Sequence, residues 1–255
     1  MYPFIPIGGE QISVYSLCSC AGASVMFLML SKMLRKKLLL SKYIGITPFA
    51  LLGVLTGAIG FGILSNCLVV LLNEGTIDLE NCIKNAGIVY LGGLLGGLGV
   101  IRIACCVKER DFREIADMLG IVIPLFHAFG RIGCFFAGCC YGKEYTGFLA
   151  IPYRVDISGE WIMRFPTQLL EAEFEFVVFL IHFIRYHKNP TAYNSLLHQY
   201  LVCYCIFRFA IEFWRGDEMR GVFCGVSFSQ AVCVVILVVL LVRKLLLKRK
   251  EMMFV

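Results

Sequence analysis

From His127 to Gly142 the chain reads H-A-F-G-R-I-G-C-F-F-A-G-C-C-Y-G. Arg131 stands there in an otherwise apolar run, between Gly130 and Gly133. An arginine at membrane depth costs about 2.5–3.5 kcal/mol on insertion scales, so it persists where it faces the protein interior or a wet cavity and meets a partner. A second arginine, Arg208, lies in another apolar run, with Glu212 one turn later. Two guanidiniums at similar depth repel unless something anionic lies between or beside them. Glu171 and Glu212 are the carboxylate candidates. A phosphate is the other candidate, because arginine grips it through paired, charge-assisted hydrogen bonds. The commonest phosphate at that depth is a phospholipid headgroup. It would be clamped either as the group attacked or as a leaving group, and in the second case arginines aimed at its oxygens stabilise charge that grows in the transition state.

His127 precedes Arg131 by four residues and shares its helical face, which suits either a proton acceptor or a neutral histidine bonded across a bundle. The spacing Cys134-x4-Cys139-Cys140 raises metal or redox chemistry, since thiolates bind zinc. No second cysteine pair or histidine pair completes a tetrahedral set by spacing, so the sequence assigns no metal. Most of the 13 cysteines, among them Cys18, Cys67, Cys105, Cys205 and Cys233, fall inside apolar runs, where a free thiol packs as a small hydrophobe.

The elements that must position these residues are membrane helices. The 255 residues are 59% hydrophobic and 16% charged, with a mean hydropathy of +0.79, against a charged share of roughly 25% in soluble domains. Apolar blocks of about twenty residues predict spanning helices rather than the shorter alternating segments of a barrel. Seven spans are expected: about Ile12–Met33, Tyr43–Leu72, Asn85–Val107, a fourth from Asp117 through Pro124 to the central motif, Pro166–Ile184, Leu196–Trp214 and Val226–Val242. Pro124 removes one backbone bond and predicts a kink. Gly92, Gly93, Gly96, Gly97 and Gly99 on the third span predict close helix packing. The polar stretch from Gly142 to Phe165 predicts a loop over the site, with short extended or interfacial pieces. Lys32, Arg35, Lys36, Lys37 and Lys42 place the first connection in the cytoplasm. Continuing span by span puts fifteen Lys and Arg inside and six outside (Lys84, Lys143, Arg154, Arg164, Arg215 and Arg220), with Arg102, Arg131 and Arg208 within spans. The expected fold is therefore an all-α integral membrane protein, a bundle of seven transmembrane helices forming one domain over residues 1–255, with the N-terminus outside and the C-terminus cytoplasmic. The net charge of +6 sits at span ends, which fits lipid headgroups and excludes a nucleic-acid reading. The N-terminus lacks a charged leader region, so the first run reads as a retained span.

Five segments, in order, resemble the prolipoprotein diacylglyceryl transferase family. Val14-Tyr15-Ser16 resembles its site-tyrosine segment, and Tyr90-Leu91-Gly92-Gly93-Leu94-Leu95-Gly96 resembles aromatic-H-G-G-L-x-G. Gly130-Arg131-Ile132-Gly133-Cys134-Phe135 resembles G-R-x-G-N-F, and Arg164-Phe165-Pro166-Thr167-Gln168-Leu169-Leu170-Glu171 resembles R-H-P-[ST]-Q-L-Y-E. Phe207-Arg208 through Glu212-Phe213-Trp214-Arg215 resembles F-R-x-x-x-E-F-x-R. The resemblance implies a bacterial plasma (inner) membrane enzyme that moves a diacylglyceryl group from phosphatidylglycerol to the lipobox cysteine of a prolipoprotein, releasing glycerol phosphate. It implies that Arg131 and Arg208 hold the phosphate, that Gln168 and Glu171 shape the cavity wall, and that Glu212 and Arg215 stand behind the clamp or at its outer gate. Tyr15, Tyr90, His127, Gly133, Cys134 and Gly142 complete the implied site, and no metal or soluble cofactor is implied.

Three positions depart from the family pattern. Leu91 replaces a histidine, Cys134 an asparagine and Cys139 an acidic residue. The lost histidine removes one candidate for activating the thiol and leaves Tyr15, Tyr90, His127 and Glu171 as alternatives. Two further readings stand beside the transferase: a non-catalytic bundle that binds or transports phospholipid, and a membrane thiol oxidoreductase using Cys134, Cys139 and Cys140.

Overall fold

In a computed structural model, the described residues are 3–154, 159–188, 196–217, 222–223 and 225–253. Glu218 and Arg220, placed by the sequence reading beyond the sixth span, lie outside them. The chain divides into two compact units: residues 1–33, 116–218 and 233–255 form the first, and residues 34–115 and 219–232 the second.

Helices dominate both. They are α1 (Val14–Lys36), α2 (Leu40–Tyr43), α3 (Thr47–Glu74), α4 (Leu79–Lys84), α5 (Tyr90–Val107), α6 (Arg113–Ala137), α7 (Thr167–Lys188), α8 (Leu196–Ile211) and α9 (Phe228–Met253). Among the described residues, six helical stretches are long and apolar enough to cross a membrane: Val14–Lys36, Leu40–Leu72, Tyr90–Val107, Arg113–Ala137, Leu196–Trp214 and Phe228–Leu246. The protein is thus a multi-pass, mainly helical membrane protein. Among the described residues, three two-stranded antiparallel ribbons interrupt the helices: β1 (Phe4–Ile7) with β2 (Glu10–Ser13), β3 (Ile151–Tyr153) with β4 (Ile162–Arg164), and β5 (Val222–Phe223) with β6 (Val226–Ser227). The β3–β4 pair supplies the extended pieces expected between Gly142 and Phe165. The N-terminal ribbon takes Ile12 and Ser13 out of the first helix, and Gly8 and Gly9, both at positive φ, make its turn.

In the first unit, α6, α7 and α8 are tied together at one end by polar contacts. Asp117 on α6 accepts from the backbone N–H of Leu196 at 2.8 Å and so caps the start of α8. The Gly120 carbonyl, one turn on, meets His182 of α7 at 2.9 Å. A side chain at Gly120 would collide with the backbone of Leu196 and Leu197, so this glycine sets how closely α6 approaches α8. Farther along, Phe174 of α7 stacks on Phe207 of α8 with centroids 4.0 Å apart. The helix α6 runs unbroken through Pro124, which is buried within it.

In the second unit, α3 packs on α5 through glycines, as the small-residue spacing predicts. A Cβ at Gly57 would lie 3.0 Å from the Gly96 Cα and would overlap the Gly92 carbonyl, while Gly53 meets Gly96 and Val100. Gly60 and Gly99 face open space. Arg102 lays its guanidinium over the Phe112 ring at 5.6 Å. The acidic stretch after α3 contains the short helix α4, capped by Asp78, whose side chain accepts from the Asn81 N–H.

Candidate active site

Two helical turns face each other across the first unit. On α6, His127 and Arg131 occupy one face at a spacing of four; on α7, Glu171 and Glu175 do the same. Glu171 Oε2 lies 2.6 Å from Arg131 Nε, and its Oε1 accepts from Arg208 Nη1 of α8 at 3.2 Å. One carboxylate therefore bridges the two guanidiniums. Arg208 Nη2 meets Glu212 Oε2 at 2.6 Å, one turn along its own helix axis. All four residues are 6% exposed or less, so two positive and two negative charges balance where water cannot screen them.

His127 stands behind this cluster. Arg131 Nε–H points at His127 Nε2 at 3.2 Å, which makes Nε2 the acceptor. Its Nδ1 must then carry the proton it gives to Glu175 Oε1, 2.7 Å away. The imidazole is neutral and orients Arg131, with the edge of its ring against Tyr204 at 5.4 Å. Tyr200 hydrogen-bonds Glu175 in turn. Among the described residues, Arg131 makes its side-chain contacts to protein through Nε. Its two terminal amino groups make neither of these contacts. Arg208 differs, with both terminal nitrogens engaged by carboxylates.

The chain after α6 folds back on this cluster. Gly138, at φ +81°, ends the helix in the left-handed region, and Cys140 follows at φ +58°. The first two residues of α7 pin the turn: Thr167 Oγ1 donates to the Cys140 carbonyl at 2.9 Å and Gln168 Nε2 to the Cys139 carbonyl at 2.7 Å. Gln168 also donates to the Tyr153 hydroxyl at 2.8 Å, so its amide serves to hold the turn. Burial pushes the Tyr153 phenol up from its ordinary value. The turn gathers Cys134, Cys139 and Cys140, whose Sγ atoms lie within 4.8 Å of one another. Hydrogen bonds from Cys134 and Cys139, with the guanidiniums of Arg215 and Arg131 adding to them, hold the Cys140 thiol well below its usual range. Among the described residues this is the one group of three or more side chains arranged to hold a metal ion.

Residues 141–145 then run as an extended segment between two others. Gly216 N–H donates to the Tyr141 carbonyl and Lys143 N–H to the Trp214 carbonyl, both at 2.9 Å; on the other side Phe165 N–H reaches the Lys143 carbonyl at 3.0 Å. Gly142 pairs with Arg215 across this seam. Any side chain there would overlap the Phe165 carbonyl. Arg215 is ion-paired with Asp217, and Arg164 lies over the Tyr141 ring at 4.6 Å.

Of the residues singled out by sequence, Arg131, Arg208, Glu171, Glu212 and His127 come together in one buried network. Gly142 and Arg215 share the seam, and Cys134 belongs to the thiol group. Gly133 sits where α1 crosses α6, since a Cβ there would be 3.2 Å from the Tyr15 ring; Tyr15 is 38% exposed. Tyr90 and the buried Leu91 open α5, in the second unit. Sequence reasoning missed Glu175, Tyr153 and Asp217, and it quoted Thr167 within a matching segment without giving it a role. Glu175 was findable, because a second carboxylate four residues after Glu171 shares its face; Tyr153 lies in a loop whose pairing carries no local signal.

A multi-pass helical fold with a buried arginine–carboxylate lattice defines a membrane protein that carries a paired ionic centre among its helices. The family model for prolipoprotein diacylglyceryl transferase matches residues 3–245, and the chain belongs to that family. It is 34% identical over 155 residues to the phosphatidylglycerol–prolipoprotein diacylglyceryl transferase 2 of Clostridium perfringens, covering 60% of this chain and 59% of the relative. With the enzyme of that activity from Clostridium tetani it shares 31% identity over 189 residues, covering 70% and 72% of the two chains. The Helicobacter hepaticus enzyme is 34% identical over 160 residues, covering 60% and 53%.

Proposed function

We propose that the protein transfers a diacylglyceryl group from phosphatidylglycerol to the lipobox cysteine thiol of a prolipoprotein, acting as a single transmembrane domain in the bacterial plasma (inner) membrane. The names of its relatives and the family match support the reaction class. The observation that carries the reading is the free fork of Arg131, held in place through Nε by Glu171 and His127. A fork presented this way matches two oxygens of a phosphodiester. The thiolate attacks the diacylglyceryl carbon bound to the phosphate, a sulfur–carbon bond forms, and the carbon–oxygen bond breaks toward phosphorus. Negative charge then grows on the departing glycerol phosphate, where Arg131 receives it, with Arg208 behind Glu171 adding field. Glu171 and Glu212 keep both arginines charged and fixed before lipid arrives. Fixed charges in a dry site need no reorganisation at the moment of reaction. Gln168, Gly142 and Arg215 hold the turn and seam that border the clamp, and Tyr15 lines its α1 side.

Seven spans complete the proposal, with the N-terminus outside and the C-terminus cytoplasmic. The helix α7 supplies the seventh. Its 22 residues reach about 33 Å at 1.5 Å per residue, enough to cross the hydrocarbon core of about 30 Å. It buries Gln168, Glu171, Glu175 and His182, and between the exposed Glu173 in its second turn and the basic last turn it exposes Phe176, Val177, Leu180, Ile181 and Ile184. Polar inside and apolar outside is the arrangement lipid requires.

The test is transfer of labelled diacylglycerol from phosphatidylglycerol to a lipobox peptide by the purified protein, read by mass spectrometry of the peptide. An adduct that disappears in Arg131→Ala is expected. Lipid binding without an adduct, across several lipobox peptides, would instead favour a non-catalytic lipid-binding bundle, the reading that Leu91, apolar and 2% exposed, favours.

A further inference from the structure

Three thiols border the clamp, and the transfer chemistry described above makes no use of them. The Sγ atoms of Cys134, Cys139 and Cys140 lie within 4.8 Å of one another. Zinc holds thiolate sulfur at about 2.3 Å, which sets the sulfurs of a tetrahedral site about 3.8 Å apart. Small side-chain rotations therefore close this group on an ion.

The backbone around it is fixed at every step. Cys139 N–H donates to the Cys134 carbonyl at 3.2 Å, and Gln168 and Thr167 hold the next two carbonyls. Cys140 keeps a left-handed φ of +58°, a conformation costing a non-glycine residue about 1–3 kcal/mol and persisting only where its surroundings impose it. That conformation lies within the turn that sets Cys140 beside Cys134. Burial is graded, with Cys134 buried, Cys140 half-buried and Cys139 exposed. The group is therefore closed on the protein side and open on the other. Arg131, one turn before Cys134 on α6, supplies positive charge against three thiolates.

We propose that Cys134, Cys139 and Cys140 hold one zinc ion whose fourth position takes the acceptor thiol of the transfer reaction. Three protein ligands with an open fourth position are the catalytic pattern for zinc, and a thiol that coordinates the ion is deprotonated outright. The site thus supplies the thiolate in a chain whose α5 offers Leu91 and no base at that position. On binding, the acceptor S–H proton passes to water. The sulfur electron pair forms the bond to the diacylglyceryl carbon, the carbon–oxygen bond breaks, and its pair leaves with the glycerol phosphate. Zinc changes ligand and keeps its oxidation state. This inference rests on the transferase reading, and the experiment separates the two.

The full chain, purified in detergent under reducing conditions, is assayed for bound metal by mass spectrometry and then loaded with Co2+ as a spectroscopic substitute for zinc. The expected result is one zinc per chain, a thiolate-to-cobalt band, and d–d bands that shift with a lipobox cysteine peptide but not with its serine counterpart. Cys134→Ser should weaken zinc binding at least tenfold. Cys139→Ser, at the exposed ligand where folding is least at stake, should do the same with an unchanged melting temperature, while Cys203→Ser, an exposed thiol on α8, should keep the metal. A reduced chain that takes up neither Zn2+ nor Co2+, or cysteine variants that bind as well as the parent, would overturn the site. A cobalt spectrum blind to the cysteine peptide would overturn thiol capture. Metal and thiol capture with no diacylglyceryl adduct would remove the transferase reading and leave the site standing; adduct formation unchanged by full chelation would do the reverse.

Discussion

At the scale of single residues, Arg131 and Arg208 look alike in sequence and differ in what they present. Arg131 spends Nε on Glu171 and His127 and keeps its fork free, whereas Arg208 commits both terminal nitrogens to Glu171 and Glu212. A lysine at position 131 keeps the charge and loses the paired geometry. Arg131→Lys should therefore lower the rate of transfer roughly 10²–10³-fold, the usual cost of one oxyanion donor, with the protein still inserted and folded; near-parental transfer by this variant would remove the fork from the mechanism. Glu171→Gln acts differently, because it leaves two buried guanidiniums facing each other. Breaking a buried pair costs about 3–5 kcal/mol, so its thermal unfolding in detergent should shift down by many degrees, and an unchanged transition would mean the bridge contributes nothing. The arginines and Glu171 were legible because a charge inside an apolar run needs a partner. The geometry of the partnership was not: the sequence left carboxylate and phosphate as alternatives, and the structure shows one carboxylate, Glu171, in place between the two arginines. The thiols were the least legible group, since their contact depends on the left-handed turn at Gly138 and Cys140, which spacing alone does not reveal.

At the scale of elements, blocks of apolar residues located each long helix, because a membrane segment must satisfy its own backbone and helices do so within one run. Their ends moved by a few residues wherever a local cap or ribbon intervened, as at the β1–β2 ribbon before Val14 and the separate turns between Leu40 and Thr47. The β1–β2 and β5–β6 hairpins stayed invisible, since strands of two to four residues are too short to show alternation, whereas the long polar connection after Gly142 announced the extended pieces of β3 and β4. Glycine spacing on α5 was informative, and the structure sorts those glycines by what they touch. Gly57→Ala should force α3 from α5 at the Gly92 carbonyl and cost about 1–3 kcal/mol, the range for overpacking. Gly60→Ala, on the same helix with open space beyond it, should be neutral or slightly stabilising, because alanine is the better helix former by up to about 1 kcal/mol. Equal melting temperatures for the two variants would mean that the α3–α5 contact is not close packed.

At the scale of the whole molecule, the number of membrane crossings turns on α7. Composition alone counts against it: Glu171, Glu173, Glu175, Arg185 and Lys188 make it the most charged of the long helices between α1 and α8. Position accounts for most of this charge: Glu171 is paired with Arg131 and Arg208, Glu175 accepts from the neutral His127, the basic residues gather at the final turn, and Glu173, which is exposed, lies in the second turn near the helix start. A helix whose buried carboxylates are satisfied inward can meet lipid with the apolar face that follows Glu173, which no average over its residues reveals. Crossing also reconciles the basic connections, since Arg185 and Lys188 then join Lys36 and Lys37 on the cytoplasmic side. The two ends of α7 can be read by labelling single introduced thiols, Glu160→Cys and Lys188→Cys, with a membrane-impermeant maleimide over the background of native cysteines. Position 160 should react in intact cells and position 188 only after the membrane is opened. Reaction of both from the same side would keep α7 out of the count and give six crossings; the arginine lattice that α7 completes would then need another explanation for its depth.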